Sequence, residues 1–250
     1  MQALVLTPRA QCLNVQFDAL TLAQTVDAVF RRLAAGEPGW LCTVNVAMLM
    51  MMRGDARLQA FVDRAALTVA DGQPLVWAAR WLGQAIPERV TGIDLVDALC
   101  ARAAREGRRV FLLGAGPRVV AEAARRLRMR HAGLQVDFAD GYFGREEAAA
   151  RAERVGESGA DILCVGMGVP RQEQFIEEHW QRLGAGLAVG VGGSFDVIAG
   201  LRARAPRWMQ RIGMEWSFRL LQEPRRLFTR YRVTNTQFLL AVLEELRKSQ

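Results

Sequence analysis

The 250-residue sequence predicts a doubly wound α/β fold with a mostly parallel sheet and a helical, arginine-rich C-terminal appendage. Three observations predict it. Short apolar, β-branched runs alternate with helix-period segments of roughly 10–16 residues, the pattern of parallel βαβ units. Small or polar residues stand where the apolar runs stop, as in Asp71-Gly72, Gly114-Ala115-Gly116, Asp140-Gly141 and Gly190-Val191-Gly192-Gly193. Beyond Gly200 the strand-like runs cease and the charge changes abruptly.

In chain order, strands are expected near 11–17, 40–46, 66–70, 109–114, 134–138, 161–166 and 187–191. Helices are expected at 21–35, 47–62, 73–82, 92–106, 117–131, 145–157 and 171–183, the first opened by Thr21 and Gln24 at capping-box spacing. Two further helices, 206–222 and 226–247, are separated by Pro224, which cannot continue a helix. The expected organisation is a Rossmann-like core over residues 1–200 and a membrane-associating appendage over 201–250 that completes the active site. In such a sheet ligands sit at the carboxyl ends of the strands, so those ends hold the candidate residues.

Residues Leu201–Arg232 carry nine arginines and two acids, a net of +7 and hence the whole formal charge of the chain. Trp208, Met209, Ile212, Trp216, Phe218 and Leu220 are interleaved with them. A single helix from Pro206 would place Trp208, Ile212, Trp216 and Leu220 on one stripe beside Arg207, Arg211 and Arg219. That composition suits an anionic membrane surface, phosphate groups held in the guanidinium fork, or both. An ordinary amphipathic helix with buried tryptophans is the alternative.

No apolar run approaches the ~20 residues needed to span a bilayer, so any membrane contact is expected to be peripheral. The start, MQALVLTPRAQ, lacks a basic region followed by a sustained apolar one, so no signal peptide is expected and the protein is expected to stay in the cytosol. Cys12, Cys42, Cys100 and Cys164 are far apart and read as buried thiols. With two histidines, no clustered Cys/His spacing and no Asp-x-Asp triplet, neither a metal nor a cofactor is expected.

Asp71 follows the run Leu67–Ala70 and precedes Gly72, where a carboxylate could serve as a general base or merely cap the next helix. Thr43 and Asn45 offer neutral hydrogen bonds suited to sugar hydroxyls, or simply complete a strand-end turn. Arg89 is an anion contact or the partner of Glu88 in a surface ion pair. Gly192 and Gly193 could cradle a phosphate through backbone N–H groups. Gln172 and Glu173 open a helix, where a glutamate also favours the helix dipole. Gly114-Ala115-Gly116 followed by Asp137 is a weak dinucleotide fingerprint, with Val119 at the third glycine position.

Taken together, Thr43-x-Asn45, Ala70-Asp71-Gly72, Glu88-Arg89-Val90-Thr91-Gly92-x-Asp94, Asp140-Gly141-Tyr142-Phe143, Gly166-x-Gly168-x-Pro170-Arg171-Gln172-Glu173, Val191-Gly192-Gly193-x-Phe195-Asp196 and the run from Arg204-Ala205-Pro206 to Arg226 resemble the WecG/TagA/CpsF glycosyltransferases, over about residues 12–232. The resemblance implies a metal-independent, inverting transferase at the cytoplasmic membrane face. It would move a sugar from a UDP donor to a polyprenyl-diphosphate-linked saccharide. N-acetylmannosamine is favoured as that sugar over its uronic acid or glucose. It further implies that Asp71 is the base, that Thr43, Asn45 and Gln172 bind sugar or acceptor, and that Arg89 is an active-site contact. Arg219, Arg226 and Arg230 would bind the diphosphate, the last in a stretch where Thr229 interrupts the usual spacing. The expected partners are therefore the UDP-sugar, the lipid-linked acceptor and an anionic membrane, with a second copy of the chain covering the apolar patch away from the membrane. No nucleic acid is expected. Two other classes compete, an NAD-dependent oxidoreductase using Asp137 at a ribose and an RNA-binding protein using the basic tail.

Overall fold

The computed structural model describes residues 8–222 and 224–248. The chain is α/β, with a parallel sheet flanked by helices, in agreement with the doubly wound, Rossmann-like class. It packs as two compact units. One comprises the described residues of Met1–Leu22, Val44–Val90 and Arg204–Gln250, the other Ala23–Thr43 and Thr91–Ala203.

The second unit contains α1 (Leu22–Ala35), β3 (Gly39–Val44), α5 (Gly92–Glu106), β5 (Arg109–Gly114), α6 (Pro117–Arg130), β6 (Gln135–Ala139), α7 (Arg145–Glu157), β7 (Ile162–Gly166), α8 (Arg171–Leu183), β8 (Leu187–Gly190) and the short α9 (Ser194–Ile198). Its five strands lie in the order β3-β8-β7-β5-β6 and pair in parallel. Every residue of β7 and β8 is buried, which is why they read as continuous apolar runs without alternation. The chain leaves β5 towards β6 but leaves β7 towards β8, which makes the carboxyl ends of these neighbouring strands a topological switch point, the place where open α/β sheets bind ligands.

In the first unit, β1 (Arg9–Cys12) and β2 (Val15–Asp18) form an antiparallel hairpin, where one strand over 11–17 was expected. The break falls at Leu13, which adopts φ 52°. No glycine marks this turn. It is held instead from a distance, because Asn14 Nδ2 donates to Gln59 Oε1 at 2.6 Å and Gln59 Nε2 donates to the Asn14 carbonyl at 3.0 Å. The helix expected over 47–62 is two, α2 (Val46–Met52) and α3 (Ala56–Asp63). Asp55 restarts the second by accepting from the Arg57 and Leu58 N–H groups, both at 3.0 Å. Strand β4 (Leu67–Ala70) and helix α4 (Gln73–Trp81) follow.

The helix expected over 206–222 is also broken, into α10 (Arg207–Arg211) and α11 (Glu215–Gln222). Gly213 separates them at φ 71°, and a methyl group there would stand 2.5 Å from Gln73 Cγ and 2.9 Å from Trp77 Cη2. Only glycine lets the turn rest on α4. The aromatic stripe is therefore divided, with Trp208 exposed on α10, Ile212 exposed just after it, and Trp216 and Leu220 half-buried on α11. Helix α12 (Pro224–Lys248) packs along α2 and buries Phe238, Ala241 and Val242. Replacing Phe238, 3% exposed, with alanine is expected to cost about 3–5 kcal/mol in urea denaturation; an unchanged midpoint would mean that α12 adds nothing to the stability of this unit.

Candidate active site

Backbone hydrogen bonds bring three expected site residues of the first unit together. The Asp71 N–H donates to the Val44 carbonyl at 2.7 Å, and the Val90 N–H donates to the Ala70 carbonyl at 2.8 Å. The stretches carrying Asn45, Asp71 and Arg89 are thereby laid side by side at the end of β4. Asp71 does not occupy the N-cap of α4. That position is held by Gly72, at φ 136°, where the chain turns sharply from strand to helix. Asn45 caps α2, its Oδ1 accepting from the Met48 N–H at 3.0 Å, so its carbonyl oxygen is already used by the fold.

Arg89 is not paired with Glu88. Its Nη1 donates to Glu215 Oε2 at 2.6 Å, and both side chains are largely withdrawn from solvent. Glu88 instead accepts from the Leu22 N–H at 2.6 Å. The Nε of Arg204 stands 3.6 Å from the other Glu215 oxygen, so two cations face this carboxylate. Glu215 is the first residue of α11, and Arg219 lies one turn further along it. Arg226 and Arg230 both belong to α12, and the side chains of Arg219, Arg226 and Arg230 lie outside the described residues. The part played by Glu215 could have been suspected from an acid set among tryptophans and arginines, but its partner lies 126 residues away.

The second unit gathers a separate set at the ends of β3, β7 and β8. Thr43, buried, donates from Oγ1 to the Gly190 carbonyl at 2.9 Å. Gln172, also buried, accepts at Oε1 from the Gly168 and Gly192 N–H groups, each at 3.1 Å, and so joins the loops that follow β7 and β8. Gly168 and Gly192 both have positive φ, and Gly193 caps α9. The Gln172 Nε2 donates to Glu173 Oε1 at 2.8 Å. Burial pushes the Glu173 carboxyl up to about 7, although the hydrogen bonds from Gln172 and from its own backbone pull the other way. Burial, and secondarily the Glu173 charge, hold the Cys42 thiol well above its usual range. Glutamate at a helix start signals no more than a favourable dipole in the sequence, and only its burial beside Gln172 marks this one out.

The dinucleotide reading does not survive the geometry. Asp137 sits inside β6 opposite Phe111, short of the strand end where a ribose-binding acid belongs. Gly114 and Ala115 form a tight turn that closes on β7, the Ala115 N–H donating to the Gly166 carbonyl at 3.0 Å.

The family model of the WecG/TagA/CpsF glycosyl transferases matches residues 10–250. The chain belongs to this family. It is thus a glycosyltransferase of family 26, acting in cell-surface polysaccharide synthesis. Among the described residues of this transferase, no helix is long and apolar enough to cross a membrane.

The raised Glu173 carboxyl has a consequence for stability. The unfolded chain releases this proton near 4.5 and the folded chain near 7, so folding holds an extra proton between these values. Stability present below pH 4.5 is therefore lost as pH rises through about 7. Glu173→Gln is expected to remove that loss, gaining up to ~3 kcal/mol on wild type between pH 5 and pH 8 in denaturant titrations. A difference independent of pH would mean that the carboxyl does not titrate in this range.

Proposed function

We propose that the chain transfers a sugar from a UDP donor to a polyprenyl-diphosphate-linked saccharide, with inversion and without a metal. The observation that supports this reading most is the convergence of Asn45, Asp71 and Arg89 at the end of β4, with the Arg89–Glu215 pair tying the start of α11 to the same place. Asp71 follows a fully buried strand and precedes a glycine whose bare backbone allows close approach. In the proposed reaction its carboxylate takes the proton of the acceptor hydroxyl as that oxygen attacks the anomeric carbon from the face opposite UDP. The bond from the anomeric carbon to the β-phosphate oxygen breaks, its electron pair leaves with UDP, and an α-linked donor gives a β-linked product.

Charge then develops on the leaving diphosphate. Arg219, Arg226 and Arg230 are assigned to it, since fixed guanidinium groups stabilise such charge in the way a metal would. Arg89 is a further active-site contact. In the second unit, Thr43, Gln172, Gly192 and Gly193 are assigned to sugar and nucleotide recognition, with Gln172 acting mainly by holding the glycine loops in shape. N-acetylmannosamine is the favoured sugar, ahead of its uronic acid and glucose.

The acceptor is a lipid, and the exposed Trp208, Ile212, Leu221 and Phe228 of the basic appendage suit a peripheral place on the cytoplasmic face of the inner membrane. The same apolar surface would favour self-association away from lipid.

Asp71→Asn is expected to lower turnover by roughly 10²-fold or more while UDP still binds. The assay offers liposome-borne polyprenyl-diphosphate saccharides, a panel of UDP-sugars and EDTA, and follows UDP release; a variant near the wild-type rate would remove Asp71 from the chemistry. Alanine at Arg219 or Arg226 is expected to weaken UDP binding by about tenfold or more, as befits the loss of a charge-assisted contact. Titration calorimetry giving wild-type affinity for both variants would exclude them as phosphate ligands.

A further inference from the structure

We propose that Glu173 is a positioning residue for the transfer reaction, fixing through one hydrogen bond the Gln172 amide that holds the loops after β7 and β8 together. Three observations within the second unit carry this. The first is the direction of the hydrogen bonds. A primary amide has a donor end and an acceptor end, and Gln172 holds the two glycine loops only while its oxygen faces the Gly168 and Gly192 N–H groups. Glu173 Oε1 accepts from Nε2 at 2.8 Å, which secures the amide from its other end.

The second observation is the cost. Glu173 is 4% exposed, and among the described residues its Oε2 has no hydrogen-bond partner. An unsatisfied buried carboxyl oxygen destabilises the fold, whereas an apolar side chain at the start of α8 would pack without that loss. Burial pushes the carboxyl up to about 7, in keeping with that cost. Polar groups kept at the expense of stability collect where a site needs them.

The third is the packing around the end of β8. A methyl group on Gly190 would stand 2.5 Å from Gln172 Nε2 and 3.2 Å from Glu173 Oε1, so this strand end is left bare to admit the pair. Thr43 donates to the carbonyl of the same glycine. Glu173 thus lies behind Thr43 and Gln172, two residues assigned above to substrate recognition, and acts through the second of them.

Amide hydrogen exchange on the full-length protein tests this directly, read at Gly168 and Gly192 for wild type and for Glu173→Leu, Glu173→Gln and Gln172→Leu. Glu173→Leu is expected to speed exchange at both glycines by about tenfold, in line with losing one hydrogen bond. Glu173→Gln, whose amide oxygen can still accept from Nε2, is expected to keep wild-type protection. Gln172→Leu is expected to speed exchange at least as much as Glu173→Leu.

Only the activity arm rests on the transferase reading. In the UDP-sugar assay Glu173→Leu is expected to lose tenfold or more in kcat/KM, Glu173→Gln to restore it, and the Glu173→Leu, Gln172→Leu double variant to be no worse than Gln172→Leu alone. Unchanged exchange in Glu173→Leu, faster exchange in Glu173→Gln, or losses in kcat/KM that multiply would overturn the assignment. Should Glu173→Leu fail to fold, the Glu173→Gln and Gln172→Leu exchange rates decide. If wild type transfers from no UDP-sugar, the proposed reaction fails, while the exchange rates still decide the role of Glu173.

Discussion

A guanidinium and a carboxylate largely hidden from water anchor the first unit. Arg89 and Glu215 meet at 2.6 Å with most of both side chains covered. Taking either charge out of water costs several kcal/mol, and only a short, well-made contact with further polar neighbours offsets that cost. Arg204 supplies a second cation at 3.6 Å. Because Arg89 sits next to a backbone hydrogen bond at the end of β4, and Glu215 begins α11, the pair sets where that helix starts relative to Asp71. Gly213 then lets the preceding turn press on α4, and α12 runs along α2.

The strand ends of the second unit obey a different constraint. Backbone N–H groups partly withdrawn from water need partners, and here a side-chain amide pairs two of them at once. This leaves little freedom at residues 168 and 192, and a loop shaped in advance loses less entropy when a ligand arrives. Buried thiols surround this framework without entering it. Burial holds Cys42 and Cys164 far from ionisation near neutral pH, so neither competes with Glu173 as a titrating group there.

Much of the architecture was legible because the buried strands are short apolar runs ended by glycine or aspartate, and the placing of Asp71 at a strand tip came directly from Leu67–Ala70 and Gly72. Where the reading went astray, the cause was contact between distant residues. The Leu13–Asn14 turn has no turn glycine and is held by Gln59. The break at Gly213 looks like a tolerable helical glycine until Gln73 and Trp77 are set against it. Glu215 as the partner of Arg89, and Glu173 as the neighbour that steadies Gln172, depend on side-chain geometry that no local pattern encodes. By contrast, the restart of a helix at Asp55 is signalled locally by Gly54-Asp55, which apolar periodicity does not register.

The first unit is assembled from three separated stretches of sequence, the last of them beginning at Arg204. A ribosome making this chain releases β4 and α2 long before α12, which later covers the methionine-rich helix. For most of translation, then, α2 lacks its eventual neighbour α12, whereas every segment of the second unit has been made by Ala203. Completion of the half that carries Asp71 is thereby postponed to the final stage of synthesis. A nascent fragment halted before α12 would possess the aspartate without a finished setting for it, and would be a substrate for chaperones rather than a catalyst.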